Sequence, residues 1–331
     1  MLMTGISQRH RSEAPALLAL DWGTSTLRAY LMTATGAVID MRHAPRGILH
    51  LPVPRDAGGF EQAFAEIAGD WLGDYPTLRV VAGGMVGSAQ GWIEAPYAPV
   101  PADVRTLAAH GVRVPSGLGP DILIAPGVIF DAPGRSPDVM RGEEIQIAGA
   151  LAAEPSLAER TCFVLPGTHS KWVLVEEQRI VSFATHMTGE LYAVLREHSI
   201  LGRLMSTEPA DPDASAHAFD QGLHAARESS PGDLPHQLFA TRALGLTKRL
   251  PNNALADYLS GLLVGHELVS GLAASRTARE ARAPLVLVGD AALCRRYARA
   301  LEAFDTAVHA QLENTAPRGL WELARAAGLV V

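Results

Sequence analysis

The sequence predicts an α/β protein of two lobes, and three observations support this prediction. The chain has 331 residues, which is long for one ordinary domain and favours about two. An apolar strand, a glycine turn and two further strands occur in succession twice, from Leu17 and again from Cys162. Helix-like and strand-like segments alternate after each copy, as in α/β folds. We therefore expect two lobes with a ligand-binding cleft between them.

The first half begins with three strands and continues with helices and further strands. Residues 1–15 lack the long apolar core of a secretion signal and are predicted to be a flexible extension. The N-terminal lobe is predicted to span residues 16–155. Its elements are the strand LLAL, the turn DWGTST, the strands LRAYLM and AVIDMRH, a helix over 59–71, the strands LRVVA and DILIA, and a helix from Gly142 through IQIAGALAA.

The second half, residues 156–331, repeats this order and is predicted to be the C-terminal lobe. It opens with CFVLPGTHSKWVLVEEQRIVSFATH, followed by a helix over 187–195, the helix YLSGLLVGHELVSGL, a strand at 285–288 and the helix AALCRRYARAL. Gly261 and Gly265 share one helix face and are expected to allow close helix packing. Residues 203–235 are rich in Asp, Pro, Ser and Ala and are predicted to be loop-rich.

Composition and charge exclude several classes of protein. Hydrophobic residues make up 48% and charged residues 19%, which is typical of a globular protein. The formal charge of -7 is spread along the chain without a basic run, so nucleic acid is not an expected partner. The only cysteines, Cys162 and Cys294, indicate neither a disulfide framework nor a zinc site and favour a cytoplasmic location. No run of eighteen apolar residues occurs, so no membrane span is expected.

The first glycine turn, Asp21-Trp22-Gly23-Thr24-Ser25, follows an apolar strand. Glycine lets the backbone approach a ligand, and the following hydroxyl and N–H groups are suited to phosphate oxygens. Asp21 is predicted to hold Mg²⁺ through water, because magnesium uses one or two carboxylates and keeps several waters. The alternative is an ordinary hairpin with Asp at its turn.

The second glycine turn follows Pro166 and contains Gly167, Thr168, His169 and Ser170. Two hydroxyl-rich turns that face each other would hold both ends of a triphosphate, so these residues are predicted to bind ATP. His169 and Lys171 would add charge-assisted contacts. Alternatively, Lys171 begins a strand and points to solvent.

The segment MRGEE, residues 140–144, opens a helix whose apolar face includes Ile147, Ala148 and Leu151. Helical spacing places Glu144 on that face, so it is predicted to point toward the protein. A carboxylate here would act as a general base on a sugar hydroxyl. Acidic residues also occur at helix starts merely because they suit the helix dipole.

The segment GGMVGSAQGW, residues 83–92, has four glycines within nine residues after a predicted strand. Ligand-binding loops are common at such positions, so Ser88, Gln90 and Trp92 are predicted to contact a polyol substrate. Arg141, from the next motif, is assigned to the same substrate. The alternative is a tight glycine-rich connection in which Trp92 anchors the core.

Gly289 ends the strand at 285–288 and precedes a helix. A glycine in this position can admit an adenine or ribose close to the backbone, so Gly289 is a candidate nucleotide contact.

Several motifs, in a fixed order, resemble a known kinase family. They are LDWGTS, GGMVGSAQGW followed by EAPY, MRGEE, LPGTHSKWV, THMTGEL and YLSGLLVGHEL. Together they resemble the 2-dehydro-3-deoxygalactonokinases from about Leu17 to the C-terminus. That family belongs to the sugar kinase, heat-shock and actin ATPase superfamily. The resemblance therefore implies two ribonuclease-H-like lobes of the actin/hexokinase-like ATPase fold, with ATP and phosphoryl transfer in the interlobe cleft.

The resemblance also implies residue roles in nucleotide binding. LDWGTS resembles the superfamily's first phosphate motif, which assigns its Asp, Gly, Thr and Ser to magnesium and phosphate. LPGTHS resembles the second phosphate motif. There Pro166 stands where many relatives have Asp, which leaves Asp21 as the metal carboxylate. VGDAAL resembles the adenosine region, with the one glycine Gly289 where many relatives have two.

The MRGEE segment resembles the SGEEE-type helix start of exopolyphosphatase-like relatives, in which a glutamate of this region serves as the base. Glu144 is the first choice for this role and Glu143 the second. The activity implied is ATP-dependent phosphorylation of the small sugar acid 2-dehydro-3-deoxy-D-galactonate at its terminal hydroxyl. The alternatives on the same fold are a phosphohydrolase that uses water and a nucleotide-dependent sensor.

Overall fold

The structure of the chain is a computed structural model that describes residues 14–276 and 283–331, with side chains at all of these except 275 and 276. The strands described are β1 (Pro15–Trp22), β2 (Leu27–Thr33), β3 (Val38–Ala44), β4 (Arg79–Gly83), β5 (Tyr97–Pro99), β6 (Val112–Pro115), β7 (Asp121–Ile124), β8 (Gly127–Phe130), β9 (Asp138–Met140), β10 (Arg160–Leu165), β11 (Ser170–Glu176), β12 (Arg179–His186), β13 (Leu285–Val288) and β14 (Ala310–Leu312). The helices described are α1 (Gly59–Asp74), α2 (Val104–His110), α3 (Glu143–Ala153), α4 (Thr188–His198), α5 (Pro212–Arg227), α6 (Leu234–Leu246), α7 (Leu255–Arg276), α8 (Ala291–Ala303) and α9 (Ala316–Ala326). The predicted extension, residues 1–15, lies outside the described residues except for 14 and 15, and Pro15 already belongs to β1.

The chain divides into two compact units. Unit 1 contains the described residues up to Glu159, Val175–Phe183 and Asn314–Val331, and unit 2 contains Arg160–Leu174 and the described residues of Ala184–Glu313. The predicted boundary at residue 155 lies near Glu159, but two later segments join unit 1 instead of the C-terminal lobe. Helix α9 joins because it packs on α3, where a Cβ on Gly319 would lie only 1.8 Å from the carbonyl oxygen of Ile145. Only glycine permits this approach of two helix backbones.

Unit 1 is built on a six-stranded sheet of order β3-β2-β1-β4-β7-β6. The first three strands form the predicted antiparallel meander, whereas β1, β4 and β7 are parallel neighbours. The carboxyl ends of these three strands therefore lie at one sheet edge, the usual ligand edge of such folds. Aromatic and aliphatic side chains of α1 pack into the core on one face of the sheet. On the other face, Leu320 of α9 and Ile145 of α3 lie against Gly83.

Unit 2 is built on a five-stranded sheet of order β12-β11-β10-β13-β14, of which Val175–Phe183, the end of β11 and the first part of β12, belongs to unit 1. Strands β10, β13 and β14 are parallel. The order matches the β3-β2-β1-β4 part of unit 1, so the repeat predicted from the sequence is confirmed. The fold class is confirmed as well, because each sheet has the meander followed by parallel strands that defines the ribonuclease-H-like units of the actin/hexokinase-like ATPase fold.

The loop-rich prediction for residues 203–235 is wrong, because α5 occupies the middle of this segment. The Asp-Pro pair that suggests a turn is a helix start, where the Asp211 side chain accepts a hydrogen bond from the Asp213 amide. Helix α5 packs tightly on α7, since a Cβ on Gly222 would lie 2.2 Å from the Tyr258 carbonyl oxygen and one on Gly261 would clash with α5 in the same way. The packing role expected for Gly261 is thus confirmed.

Candidate active site

Asp21 lies at the ligand edge of unit 1, one residue before the end of β1 and beside Gly83 of the parallel strand β4. Its Oδ2 accepts a hydrogen bond from Arg28 Nη1 at 3.0 Å. Burial raises the pKa of Asp21 above its ordinary value, and the positive charge of Arg28 opposes this shift. The Arg28 side chain is half exposed. It is therefore able to move aside when a cation approaches the carboxylate.

The first glycine turn is held by its carbonyl groups. The amides of Gly47, Ile48 and Leu49 donate hydrogen bonds of 3.1 Å to the carbonyl oxygens of residues 25, 23 and 24, respectively. Within the described part of the chain, the amides of Thr24 and Ser25 donate no hydrogen bond in return. Two consecutive N–H groups are thus left for a ligand, as in backbone sites for anions.

The start of α3 reaches the same edge through two glycines. Gly84 has φ +92°, and a Cβ there would lie 2.8 Å from the carbonyl oxygen of Trp22. Gly142 has φ +107°, and a Cβ there would lie 3.3 Å from the Gly84 Cα. These positions admit only glycine. The ends of β1 and β4 and Gly142, the residue that immediately precedes α3, are therefore in close backbone contact.

Both acidic residues of MRGEE fold back over the start of α3. Both oxygens of Glu144 accept a hydrogen bond from the Gly142 amide, at 2.9 and 2.8 Å, and Glu143 Oε2 accepts one from the Arg141 amide at 3.0 Å. Glu144 has no exposed surface. Burial, with a smaller contribution from the charge of Glu143, raises the pKa of Glu144 to about 8. This carboxyl group is therefore largely protonated at pH 7.

Glu144 has the predicted orientation toward the protein. Together with Ile147, Ala148 and Leu151 it lines a cavity of about 560 Å³ in unit 1. The helical spacing of the sequence thus identified the correct face of α3. The raised pKa depends on this burial, which outweighs the opposing positive charge of Arg141.

The glycine-rich loop at 83–92 and Arg141 form a second group of predicted residues in unit 1. The Arg141 guanidinium lies 4.5 Å from the centre of the Tyr97 ring and donates to the Ala95 carbonyl oxygen through Nη2 at 2.8 Å. Its Nη1 would lie 3.0 Å from a Cβ on Gly87, so Arg141 is packed against the loop. Arg141 Nε and Nη1, like Ser88 Oγ, are buried and have no hydrogen-bond partner among the described residues.

The other two predicted residues of this loop, Gln90 and Trp92, are not buried as Ser88 is. Gln90 is exposed. Trp92 lies in an aromatic cluster with its ring centre 5.7 Å from that of Phe60 and 5.9 Å from that of Trp22, and its Nε1 donates to Glu61. The structure therefore packs the half-buried Trp92 against the core, which is close to the alternative interpretation of this residue.

The second glycine turn follows β10, as the first follows β1, but it is supported by different contacts. A Cβ on Gly167 would have no atom within 4 Å. Among the described residues, neither the Thr168 amide nor the His169 amide donates a hydrogen bond. The start of α4 supports the turn, because the Glu190 amide donates to the Thr168 carbonyl oxygen at 3.0 Å and a Cβ on Gly189 would lie 2.5 Å from the Gly167 carbonyl oxygen.

The side chains of the second turn point in different directions. Thr168 and His169 are exposed, and His169 Nε2 pairs with the Glu190 carboxylate. Ser170 is fully buried, and its Oγ lies 3.0 Å from the Tyr297 hydroxyl. Lys171 is also buried and donates to Thr185 Oγ1 at 2.8 Å, so it does not point to solvent.

Gly289 lies beside the second turn in unit 2. It follows β13, which is parallel to β10, and a Cβ on it would lie 3.7 Å from the Pro166 carbonyl oxygen. Its φ of +148° lies in the range that favours glycine. The sequence therefore identified a second strand end at the same sheet edge.

Sequence reasoning missed a buried carboxylate behind the second turn. Glu267 of α7 is 3% exposed and accepts hydrogen bonds from Trp172 Nε1, Thr188 Oγ1 and the Tyr297 hydroxyl, at 2.9, 2.5 and 2.7 Å. The available signal was a single glutamate within the apolar sequence LLVGHELVSGL, since a buried charge requires partners.

The residues present fit a magnesium–nucleotide ligand. The described residues contain no group of three His, Cys, Asp or Glu side chains that would enclose a metal ion. Mg²⁺ bound to a nucleotide needs no such group, because phosphates and waters supply most of its ligands. One carboxylate, Asp21, beside amides without partners is the donor set that such a ligand requires.

Comparison with known proteins identifies a family. The model of the 2-keto-3-deoxy-galactonokinase family matches residues 21–323. The 2-dehydro-3-deoxygalactonokinase of Escherichia coli (strain K12) is 35% identical over 299 residues, which cover 90% of this chain and 94% of that protein. A Rhizobium meliloti (strain 1021) protein assigned the same activity is 34% identical over 320 residues, covering 92% and 97%. A crystal structure assigned to this activity, from Sinorhizobium meliloti, has a TM-score of 0.79 at 31% identity and covers 94% of this chain and 98% of that one.

Proposed function

Because this chain belongs to the 2-keto-3-deoxy-galactonokinase family, we propose that it phosphorylates 2-dehydro-3-deoxy-D-galactonate with ATP in galactonate catabolism. The γ-phosphoryl group passes to the terminal hydroxyl and gives the 6-phosphate and ADP. One observation in the structure supports this proposal most directly. Each unit has a glycine turn at a strand end with two consecutive amides that donate no hydrogen bond within the described chain. Such amides bind phosphate oxygens.

We assign the nucleotide to the residues of both turns and to Gly289. Bound Mg²⁺ would neutralise phosphate charge, and Asp21 is the carboxylate that would hold it through water. Thr24, Ser25, Thr168 and His169 offer their amides to phosphate oxygens. Ser170 and Lys171 support the turn from below, because both side chains are buried and hydrogen-bonded.

The sugar acid is assigned to Arg141 and the glycine-rich loop. Buried donors without partners carry a free-energy cost that a ligand can remove. Arg141 Nε and Nη1 and Ser88 Oγ are such groups. A carboxylate with neighbouring hydroxyls matches a guanidinium beside a serine. Gln90 is exposed and would add a polar contact, whereas Trp92 positions the loop through its ring contacts.

Glu144 is the proposed general base, with Glu143 as the second candidate. A sugar hydroxyl is a poor nucleophile at neutral pH, and a base is most effective when its pKa lies near the working pH. Burial brings the pKa of Glu144 to about 8, well above that of an ordinary glutamate. Protonation at neutral pH would then limit turnover, which makes the assignment testable by pH.

The test is ADP release with and without a panel of 3-deoxy-2-keto sugar acids. A kinase releases ADP only with the sugar acid, and 2-dehydro-3-deoxy-D-galactonate should have the highest kcat/KM. D-Galactonate, which lacks the keto group, serves as the control substrate. ADP release without any sugar would indicate the phosphohydrolase, and ATP binding without turnover would indicate the sensor; either result would overturn the proposal.

The use of ATP as co-substrate bears on the compartment in which the enzyme works. Within the described residues, no helix is long and apolar enough to cross a membrane. We propose that the enzyme works in the cytoplasm on a small sugar acid, because ATP and its products are exchanged there.

A further inference from the structure

The second glycine turn is connected to a buried carboxylate through a chain of hydroxyl groups. Ser170 Oγ lies 3.0 Å from the Tyr297 hydroxyl, which lies 2.7 Å from Glu267 Oε2. Ser170 has no exposed surface, and Tyr297 and Glu267 are 2% and 3% exposed. Solvent therefore does not compete for these hydrogen bonds.

The direction of this chain follows from counting protons. A tyrosine hydroxyl has one proton, and Tyr297 donates it to Glu267, which as a carboxylate can only accept. Burial and then the charge of Glu267 raise the pKa of Tyr297, which keeps this proton in place. Ser170 consequently donates its proton to the Tyr297 oxygen, which is a shorter contact than the 3.5 Å one to the Gly167 carbonyl oxygen. The Ser170 oxygen then faces the Gly167 amide, which lies 3.4 Å away at the start of the turn.

Glu267 also holds the other side of the turn. Its Oε2 accepts a hydrogen bond from Thr188 Oγ1, and Thr188 is the first residue of α4. The next two residues of α4 touch the turn directly, through the close approach of Gly189 to Gly167 and the hydrogen bond from the Glu190 amide to Thr168. One carboxylate oxygen therefore fixes the turn at Ser170 and at the start of α4.

From this geometry we propose that Glu267 is a positioning residue that holds the second glycine turn in the shape that presents the Thr168 and His169 amides to a nucleotide phosphate. Only the identity of the ligand, a nucleotide phosphate, rests on the proposed kinase function. The effect of Glu267 on the shape of the turn rests on the hydrogen bonds described above. Loss of the network should raise the KM for ATP and leave the KM for the sugar acid unchanged, because the proposed sugar-acid residues belong to unit 1.

Two variants within the network distinguish positioning from general stability. Tyr297→Phe removes the link to Ser170, whereas Trp172→Phe removes a donor to Glu267 Oε1, the oxygen that accepts from neither Tyr297 nor Thr188. Each variant costs the carboxylate one hydrogen bond. Tyr297→Phe should raise the KM for ATP about ten-fold, which corresponds to one hydrogen bond of a charged network, and Trp172→Phe should not. Equal KM values for ATP in the two variants would contradict the claim that this network serves nucleotide binding.

Glu267→Gln is the stronger variant, because an amide accepts at one oxygen only and its NH₂ group must face a donor. The matched control is Glu322→Gln, which removes a carboxylate of unit 1 that is 7% exposed and paired with Arg318 and Arg325. We expect a higher KM for ATP in the first variant only. If Glu267→Gln does not fold, the pair Tyr297→Phe and Trp172→Phe decides.

Amide hydrogen exchange in the protein without ligands separates this inference from the proposed function. The Glu190 amide, which is bonded to the turn, should exchange faster in Tyr297→Phe than in wild type or Trp172→Phe. Unchanged exchange would overturn the positioning role. Faster exchange with unchanged ATP kinetics would retain the positioning role and contradict the assignment of the turn to phosphate.

Discussion

The two glycine turns occupy matching positions, after β1 and after β10, but are held in place by different groups. In unit 1 the amides of Gly47, Ile48 and Leu49 donate to the carbonyl oxygens of the turn. In unit 2 the turn rests on the buried side chains of Ser170 and Tyr297 and on the start of α4. Main-chain hydrogen bonds survive most side-chain substitutions, whereas side-chain networks do not.

In the first turn, the groups that hold the backbone are different from the carboxylate proposed to bind a ligand. In the second turn, side chains hold the backbone that is proposed to bind phosphate. The first turn keeps its shape without Asp21, so that carboxylate is available for a ligand. The second turn has Pro166 at the matching position and carries no carboxylate. Side-chain changes near the first turn should therefore alter the chemistry, whereas those near the second should alter the affinity for ATP.

The largest effect is expected for Asp21→Asn. The amide keeps the size of the side chain but loses the charge, so kcat/KM should fall at least about 10²-fold, as when one preorganised electrostatic group is removed. The melting temperature should stay close to that of wild type. Steady-state kinetics over a magnesium titration measure the effect.

The control for Asp21→Asn is Asp70→Asn, because Asp70 also pairs with an arginine, Arg42, but lies on the exposed side of α1. Its kinetics should match those of wild type. Activity of Asp21→Asn within a few-fold of wild type would remove the carboxylate from the mechanism, and the two turns would then be functionally alike.

Glu144→Gln should lower kcat by about 10²-fold, the low end for a general base, because the transition state of phosphoryl transfer is loose. The KM for ATP should hardly change, since Glu144 lies at the start of α3 and not in either turn. Stopped-time assays of ADP release at saturating substrates measure kcat. A normal kcat in Glu144→Gln beside an inactive Glu143→Gln would make Glu143 the base.

The pH profile sharpens the same assignment. With the pKa of Glu144 at about 8, wild-type kcat should rise as the pH increases through 8, because the base acts only when ionised. The charge of Glu143 contributes to that raised pKa. Glu143→Gln should therefore shift the rise to lower pH, and Glu144→Gln should abolish it. A wild-type kcat that is flat between pH 6 and about 9 would contradict Glu144 as the base.

Local patterns predicted the turns and the strands beside them. LLAL and CFVL are apolar runs followed by a glycine turn, and both signals depend only on neighbouring residues. The face of α3 that carries Glu144 also followed from helical spacing. In contrast, the Asp-Pro pair at 211 and 212 has the same local signal for a turn as for a helix start, and the helix was chosen by packing against α7.

Long-range contacts could not be predicted in this way. Glu267 lies 95 residues from Trp172 and 79 from Thr188, so no spacing rule connects these residues. The position of α9 in unit 1 depends on the close approach of Gly319 to α3, which is equally remote in sequence. The burial of the Ser170 side chain could not be predicted for the same reason, because its partner Tyr297 is 127 residues away.

Gly167→Val tests the second turn without disturbing its support. A Cβ on Gly167 would meet no atom within 4 Å, so the variant should fold. The side chain would occupy space next to the proposed phosphate position, and the KM for ATP should rise about ten-fold, as for one lost charge-assisted hydrogen bond. Gly69→Val in α1, where a Cβ also meets no atom within 4 Å, is the matched control. Unchanged ATP kinetics in folded Gly167→Val would show that the second turn does not bind phosphate.

The smallest expected effects concern the free energy of unfolding, to which the two buried glutamates, Glu267 and Glu144, contribute differently. Glu267 accepts from three side-chain donors, whereas Glu144 accepts from backbone amides at the start of α3. Glu267→Gln should therefore lower the free energy of unfolding. For Glu144→Gln the sign depends on pH, because the folded protein holds the Glu144 proton up to a pKa of about 8 while the unfolded chain releases it near 4.5.

Between those two pH values the unfolded state of wild type binds fewer protons than the folded state, so a rise in pH favours unfolding. The stability contributed by protonated Glu144 is complete below about pH 4.5 and is lost as the pH approaches 8, at a slope of at most about 1.4 kcal/mol per pH unit. Glutamine has no such proton, but its oxygen can still accept from the Gly142 amide. The difference in unfolding free energy between Glu144→Gln and wild type should therefore grow in favour of the variant from pH 5 to about 8 and then level off. Urea titrations at several pH values measure this difference, and a difference independent of pH would mean that Glu144 is ionised in the folded protein.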